Sequence, residues 1–202
     1  MQKNKKWKEL LFSKLLMEKN TSHKIAYIAV LAAFNVAVNV FSLPLGFVQF
    51  SFTLFLASLT GILIGPIFGF TAAFLGDTLG YFIGGGSVGA FTPWIGLSMG
   101  VAAVISALIV NGLRITLIVN DVQIKGVYIK LAVVCILTFF VCTYAISTTA
   151  GYYYWNGNGL NYWAFVWSRL PVQIFNNIGN SILLFIFVPI LNRIKSLKIN
   201  IT

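Results

Sequence analysis

Charge is scarce in this chain, and acidic charge is nearly missing. Only 9% of the 202 residues are charged, 58% are hydrophobic, and the mean hydropathy is +0.89. Soluble domains carry about 25% charged residues, so this surface is built for lipid rather than water. The four acids are Glu9, Glu18, Asp77 and Asp121. They are too few for a two-carboxylate or carboxylate-bridged metal enzyme within the membrane. A single histidine, His23, excludes a Ser/His/Asp set. The two cysteines, Cys135 and Cys142, lie on one face of an apolar run and read as reduced packing residues, not as metal ligands or a disulfide. No Walker A sequence occurs, so the chain does not hydrolyse ATP through a P-loop. No catalytic or metal-binding set is expected.

Basic residues are what remains of the charge, giving a net +10. Lysines crowd the segment from Lys3 to Lys24, and Arg193, Lys195 and Lys198 close the other end. Basic ends around an apolar middle set membrane topology and do not form a nucleic-acid groove. A membrane-spanning helix needs about 20 mainly apolar residues. Six segments qualify, at 24–43, 47–65, 66–83, 92–119, 127–147 and 164–191. The fold class is therefore an all-α membrane protein of six transmembrane helices in the bilayer. Residues 1–23 form a basic amphipathic segment, 24–191 the transmembrane domain and 192–202 a basic tail. In the first of these, Trp7, Leu10, Leu11, Leu15 and Leu16 alternate with lysines at helical spacing. That pattern predicts a helix lying in the membrane surface rather than a cleaved signal.

With both termini cytoplasmic, the inner segments hold all but Arg169 of the 14 basic residues, as the positive-inside rule requires. The outer connections carry aromatics instead. Tyr152, Tyr153, Tyr154, Trp155, Tyr162 and Trp163 crowd the last one, as an interfacial belt or as a lid over a ligand. Residues 84–89 match G-x-G-x-x-G, but no βαβ unit surrounds them, and a flexible outer loop is the sounder reading. Sequons begin at Asn20 and Asn200, both on the inner side, where glycosylation does not occur.

Small residues shape the first span. Ala29, Ala33 and Ala37 recur every four residues and give a smooth stripe of the kind that lets helices approach closely in lipid. Asn35 and Asn39 fall on the opposite side, at 100° per residue. A partner-facing stripe with an inward polar face is one reading, and two packing contacts within the bundle the other. Gly61, Gly65, Gly69, Gly76 and Gly80 predict tight internal helix packing.

Two charges lie within spans. Asp77 falls in the third and Arg169 begins the sixth. An intramembrane charge is expensive unless paired or hydrated, and so is a functional candidate. From Arg169, a polar stripe continues through Gln173, Asn176, Asn177 and Asn180 at i+4, i+7, i+8 and i+11. Either Asp77 and Arg169 form a structural salt bridge, or they line a water-accessible pocket that opens outward.

From 24 to 195 the chain resembles the substrate-binding (S) components of energy-coupling factor (ECF) vitamin transporters. The resemblance rests on the alanine stripe, on Gly61-Ile62-Leu63-Ile64-Gly65-Pro66-Ile67-Phe68-Gly69, on Gly76-Asp77-Thr78-Leu79-Gly80, on Phe91-Thr92-Pro93-Trp94 and on Arg169-Leu170-Pro171-Val172-Gln173. It is nearest to the folate-specific subgroup, from whose pattern residues 84–91 depart. The resemblance implies that Ala29, Ala33 and Ala37 dock on a shared membrane coupling subunit. It also implies that a pair of ATPases supplies the energy and that the ligand pocket lies under the outer loops. Asp77 would accept from a pterin edge, Tyr81, Trp94 or Tyr153 would stack on the ring, and Arg169 would hold a carboxylate. Gln173, Asn176, Asn35 and Asn39 complete the expected lining. Pantothenate, or another acidic vitamin, would need Arg169 alone. A stand-alone carrier and a membrane enzyme are the rival classes, and the latter lacks a nucleophile with its base.

Overall fold

The computed structural model describes residues 20–40, 43–45, 48–83, 91–112, 117–119, 122–124, 126–156 and 159–193. The expected N-terminal surface helix, the glycine-rich segment at 84–89, Asp121 and the basic tail beyond 193 lie outside the described residues. Helix α1 (Thr21–Val40) is followed by a hairpin of β1 (Leu43–Leu45) and β2 (Val48–Phe50), paired antiparallel with Leu43 opposite Phe50. Next come α2 (Thr53–Ile64) and α3 (Pro66–Ile83). Helix α4 (Pro93–Gly112) ends in π-type turns from Leu108. A second hairpin joins β3 (Leu117–Val119) to β4 (Val122–Ile124). Helix α5 (Val127–Trp155) is wound as a π-helix from Thr138 to Thr148, and α6 is Tyr162–Arg193.

Five of these helices are long and apolar enough to cross a membrane, and α2 is a shorter apolar helix. The segment expected at 47–65 is thus divided between strand β2 and the 12-residue α2. At 1.5 Å per residue α2 is about 18 Å long, well short of the roughly 30 Å hydrocarbon layer. It is tolerated because it is wrapped by protein. Leu56, Ala57, Ser58, Thr60, Ile62 and Ile64 are all at most 2% exposed, and irregular backbone at membrane depth survives where protein covers it. The fifth span is longer than expected, because Tyr152, Tyr153, Tyr154 and Trp155 continue the helix instead of forming a loop. Between α2 and α3, Gly65 adopts φ 89° and donates its N–H to Gly61 O at 2.9 Å. Pro66 then opens the next helix, so the expected Gly65-Pro66 turn is present.

The helices meet where glycine removes the side chain. A Cβ on Gly61 would collide with the backbone carbonyl of Ala103 on α4, and one on Gly69 would lie 2.7 Å from the Gly61 Cα. Helices α2, α3 and α4 therefore touch backbone to backbone. In lipid such contact is driven by dispersion and complementarity rather than by exclusion of water. Gly76 and Gly80 do the same for α3 against α1, where a Cβ on Gly80 would come 2.6 Å from that of Asn39. A second apolar cluster joins Leu56, Leu59 and Ile62 of α2 to Val110, Leu131, Val134, Leu184 and Val188. Both cysteines are free and buried within the bundle. Lys130, counted above among the inner basic residues, is only 1% exposed and belongs to the packed interior.

Far along the chain, α6 completes α2. The first amides of a helix have no partner of their own, and Phe52 at the N-cap of α2 makes no side-chain cap bond. Asn180 Oδ1 instead accepts the Phe55 N–H at 2.8 Å, and Asn176 Oδ1 accepts the Ser51 N–H at 3.0 Å. Asn180 Nδ2 also donates to Ser51 O at 2.8 Å. Replacing Gly61 by alanine pushes a methyl group into a backbone carbonyl that cannot yield. We expect Gly61→Ala to destabilise the bundle by about 1–3 kcal/mol, the usual range for overpacking. Thermal unfolding of the detergent-solubilised protein checks this, and an unchanged midpoint would contradict the packing described.

Candidate functional site

Polar side chains gather at the end of the bundle that carries the β1–β2 hairpin. Chain direction brings there the C-terminal ends of α1, α3 and α5 and the N-terminal ends of α2, α4 and α6. Asn39 and Asp77 form one part. Asn39 Nδ2 donates to Asp77 Oδ1 at 2.6 Å and approaches the Asp77 carbonyl at 3.2 Å. On the α3 wheel, at 100° per residue, Asp77 points between Gly76 and Gly80, which face α1, and Phe74, which meets α4 at Gly96. It therefore looks into the interior. Tyr81, one turn further on, packs its ring on Phe91 with centroids 5.4 Å apart.

Arg169 forms the other part. Its guanidinium carbon lies 5.4 Å from the Phe165 ring centroid and 5.6 Å from that of Trp155. A side chain at Gly151 would strike the guanidinium, so the glycine makes room for it. No acid faces Arg169 among the described residues, and Asp77 is bound to Asn39 instead. The salt-bridge alternative is therefore not what the structure contains. Two aromatic faces contribute about 0.5–2 kcal/mol each to a desolvated cation, but supply no hydrogen-bond acceptor for its five N–H groups.

Hydroxyls and amides also bond α4, α5 and α6 to one another. Gln173 Nε2 donates to Thr148 Oγ1 at 2.7 Å, and that hydroxyl reaches the Thr143 carbonyl at 2.8 Å. Ser147 Oγ donates to Ser98 Oγ at 2.9 Å, joining α5 to α4. The Thr148 bond spans five residues, as the wide π turns require, and such turns occur often at functional sites.

Not every expected residue belongs to this group. Asn35 is buried deeper, donating to Leu31 O and Thr60 Oγ1 at 2.8 Å each, so it ties α1 to α2. Asn176 lends its carbonyl to the start of α2, as described above. Trp94 is 48% exposed and Tyr153 77% exposed. On their helices both are turned away from the buried face, so neither meets Asp77 or Arg169. The rings that meet Arg169 are those of Trp155 and Phe165. Phe165 was legible as the i−4 neighbour of Arg169 on one helix face. Trp155 was hidden in a segment read as loop.

On the outside of α1, Ala29, Ala33 and Ala37 are all exposed, while Asn35 is buried and Asn39 half-buried. The stripe does not pack within the bundle, which removes the second reading of it. None of the curated proteins matches this chain. A family model described as "ECF-type riboflavin transporter, S component" matches residues 19–196. That span takes in every described helix, and the chain belongs to the family of ECF-type riboflavin transporter S components.

Proposed function

We propose that this protein captures a vitamin with a flat fused heterocycle and a carboxylate tail, folate being the best fit, for import by an ECF-type transporter. In this reading it is not an enzyme. The β1–β2 end faces outward and holds the ligand. A membrane coupling subunit docks on Ala29, Ala33 and Ala37, and two partner ATPases supply the energy. The observation that carries the ligand class is Arg169, a cation held between Trp155 and Phe165 with no acid beside it among the described residues. A bidentate carboxylate supplies what those rings lack. The aromatic walls suit a planar ring, and Asp77 accepts from its N–H edge. Riboflavin is the second reading, favoured by the description of the matching family. It shares the flat ring but is neutral, and it leaves Arg169 without a counter-charge.

Calorimetric titration of the purified protein with folate, riboflavin and pantothenate separates these readings. Folate should bind, and Arg169→Ala should weaken it at least tenfold, since a charge-assisted hydrogen bond contributes about 1.5–3 kcal/mol. Riboflavin binding without folate binding would replace the first reading by the second, and the Arg169 change should then matter little. Asp77→Asn places a donor opposite the ligand's own donors, at about 1–3 kcal/mol for the unpaired group. Folate affinity should fall accordingly, while an acid without the ring should bind as before.

Coupling is tested apart from binding. Ala33→Trp should abolish vitamin uptake by cells while the isolated protein still binds its ligand. Uptake at the wild-type rate would remove the alanine face from the partner contact.

A further inference from the structure

We propose that Thr92 and the first turn of α4 form the subsite that reads the carbonyl of the vitamin's ring. This rests on the reading of the chain as a vitamin-binding component, but not on which of the two vitamins it takes. Thr92 is only 4% exposed, yet its Oγ1 has no hydrogen-bond partner among the described residues. It occupies the N-cap of α4 with φ −127° and ψ 114°, where threonine ordinarily caps its own helix, and it makes no side-chain cap bond. A buried hydroxyl left unsatisfied at a helix start is unfavourable, unless a group absent from the unliganded protein completes it.

Its neighbours indicate which group. Pro93 follows at the first helical position and has no N–H, so Trp94 carries the first amide of the helix. That amide and the Thr92 hydroxyl are donors at the positive end of the helix dipole, and they suit an acceptor oxygen. Phe91, next to Thr92, packs on Tyr81, which shares a helix face with Asp77 one turn away. Asp77 engages Asn39 through Oδ1, leaving Oδ2 to accept. An acceptor from α3 and donors from α4 thus belong to the same end of the bundle, linked by the Tyr81–Phe91 ring contact. A ring lactam, with N–H beside C=O, presents the complementary pair: its N–H meets Asp77 and its carbonyl meets Thr92. Pterin and isoalloxazine rings both carry such an edge.

Thr92→Val removes the hydroxyl at nearly constant volume, and Thr92→Ser keeps it. Each full-length variant is titrated with folate and with riboflavin, and its unliganded melting temperature is measured. For the vitamin that the wild type binds, we expect Thr92→Val to lose about tenfold in affinity, one hydrogen bond's worth. Thr92→Ser should stay within about threefold, and the unliganded melting temperature of Thr92→Val should be unchanged or raised. Wild-type affinity in Thr92→Val would overturn the subsite alone. A lowered melting temperature or failure to fold would make the hydroxyl structural and overturn it too. If the wild type binds neither vitamin, the ligand class and the subsite fall together.

Discussion

Where Gly61 meets Ala103, two helix backbones touch, and the placement of the other helices follows from that contact. It lets α2 sit at the centre of the bundle, too short to span and therefore obliged to be covered. Gly69 brings α3 against the same point from the other side. With α3 fixed, Gly76 and Gly80 seat α1, and Asn39 comes within hydrogen-bond distance of Asp77. The polar end of the molecule is thus positioned by residues without side chains, some of them several turns away. A methyl group at any of these contacts would separate donors from acceptors that have no water to replace them.

The charges at that end are held in unlike ways. Asp77 is anchored by an amide from α1, which satisfies one oxygen and leaves the other. Arg169 is held by ring faces, which stabilise its charge without using its hydrogen bonds. Such a cation is desolvated in part and still able to form a bidentate pair. Gln173 with Thr148, and Ser147 with Ser98, are already bonded to one another, so these side chains are held in place across α4, α5 and α6.

Much of this was readable from residue order, and the gaps have physical causes. Hydropathy located the long helices, because burial in lipid demands about 20 apolar residues whatever they pack against. It failed at 47–65, where an apolar strand and an apolar helix look alike. The stripe from Arg169 to Asn180 was visible at helical spacing, but the division of labour along it was not. Asn176 and Asn180 serve the start of α2, a fact that depends on where another helix begins. Likewise the opposition of alanines and asparagines on α1 was evident, whereas which face turned inward required knowing that Gly76 and Gly80 sit against the asparagines. Trp94 and Tyr153 have rings suited to stacking, but residue type does not reveal that rotation about their helices turns both to the exposed side.

The clamp between α6 and α2 also bears on how the chain is made. The bond from Phe55 to Asn180 joins residues 125 apart in sequence. When α2 leaves the ribosome it is too short to hold a transmembrane position by itself, and the asparagines that complete its first turn have yet to be synthesised. The chain must carry that helix unfinished through the insertion of α3, α4 and α5. The first turn of α2 is completed only once α6 is in place, and a chain truncated before Asn180 lacks the piece that locks its own centre.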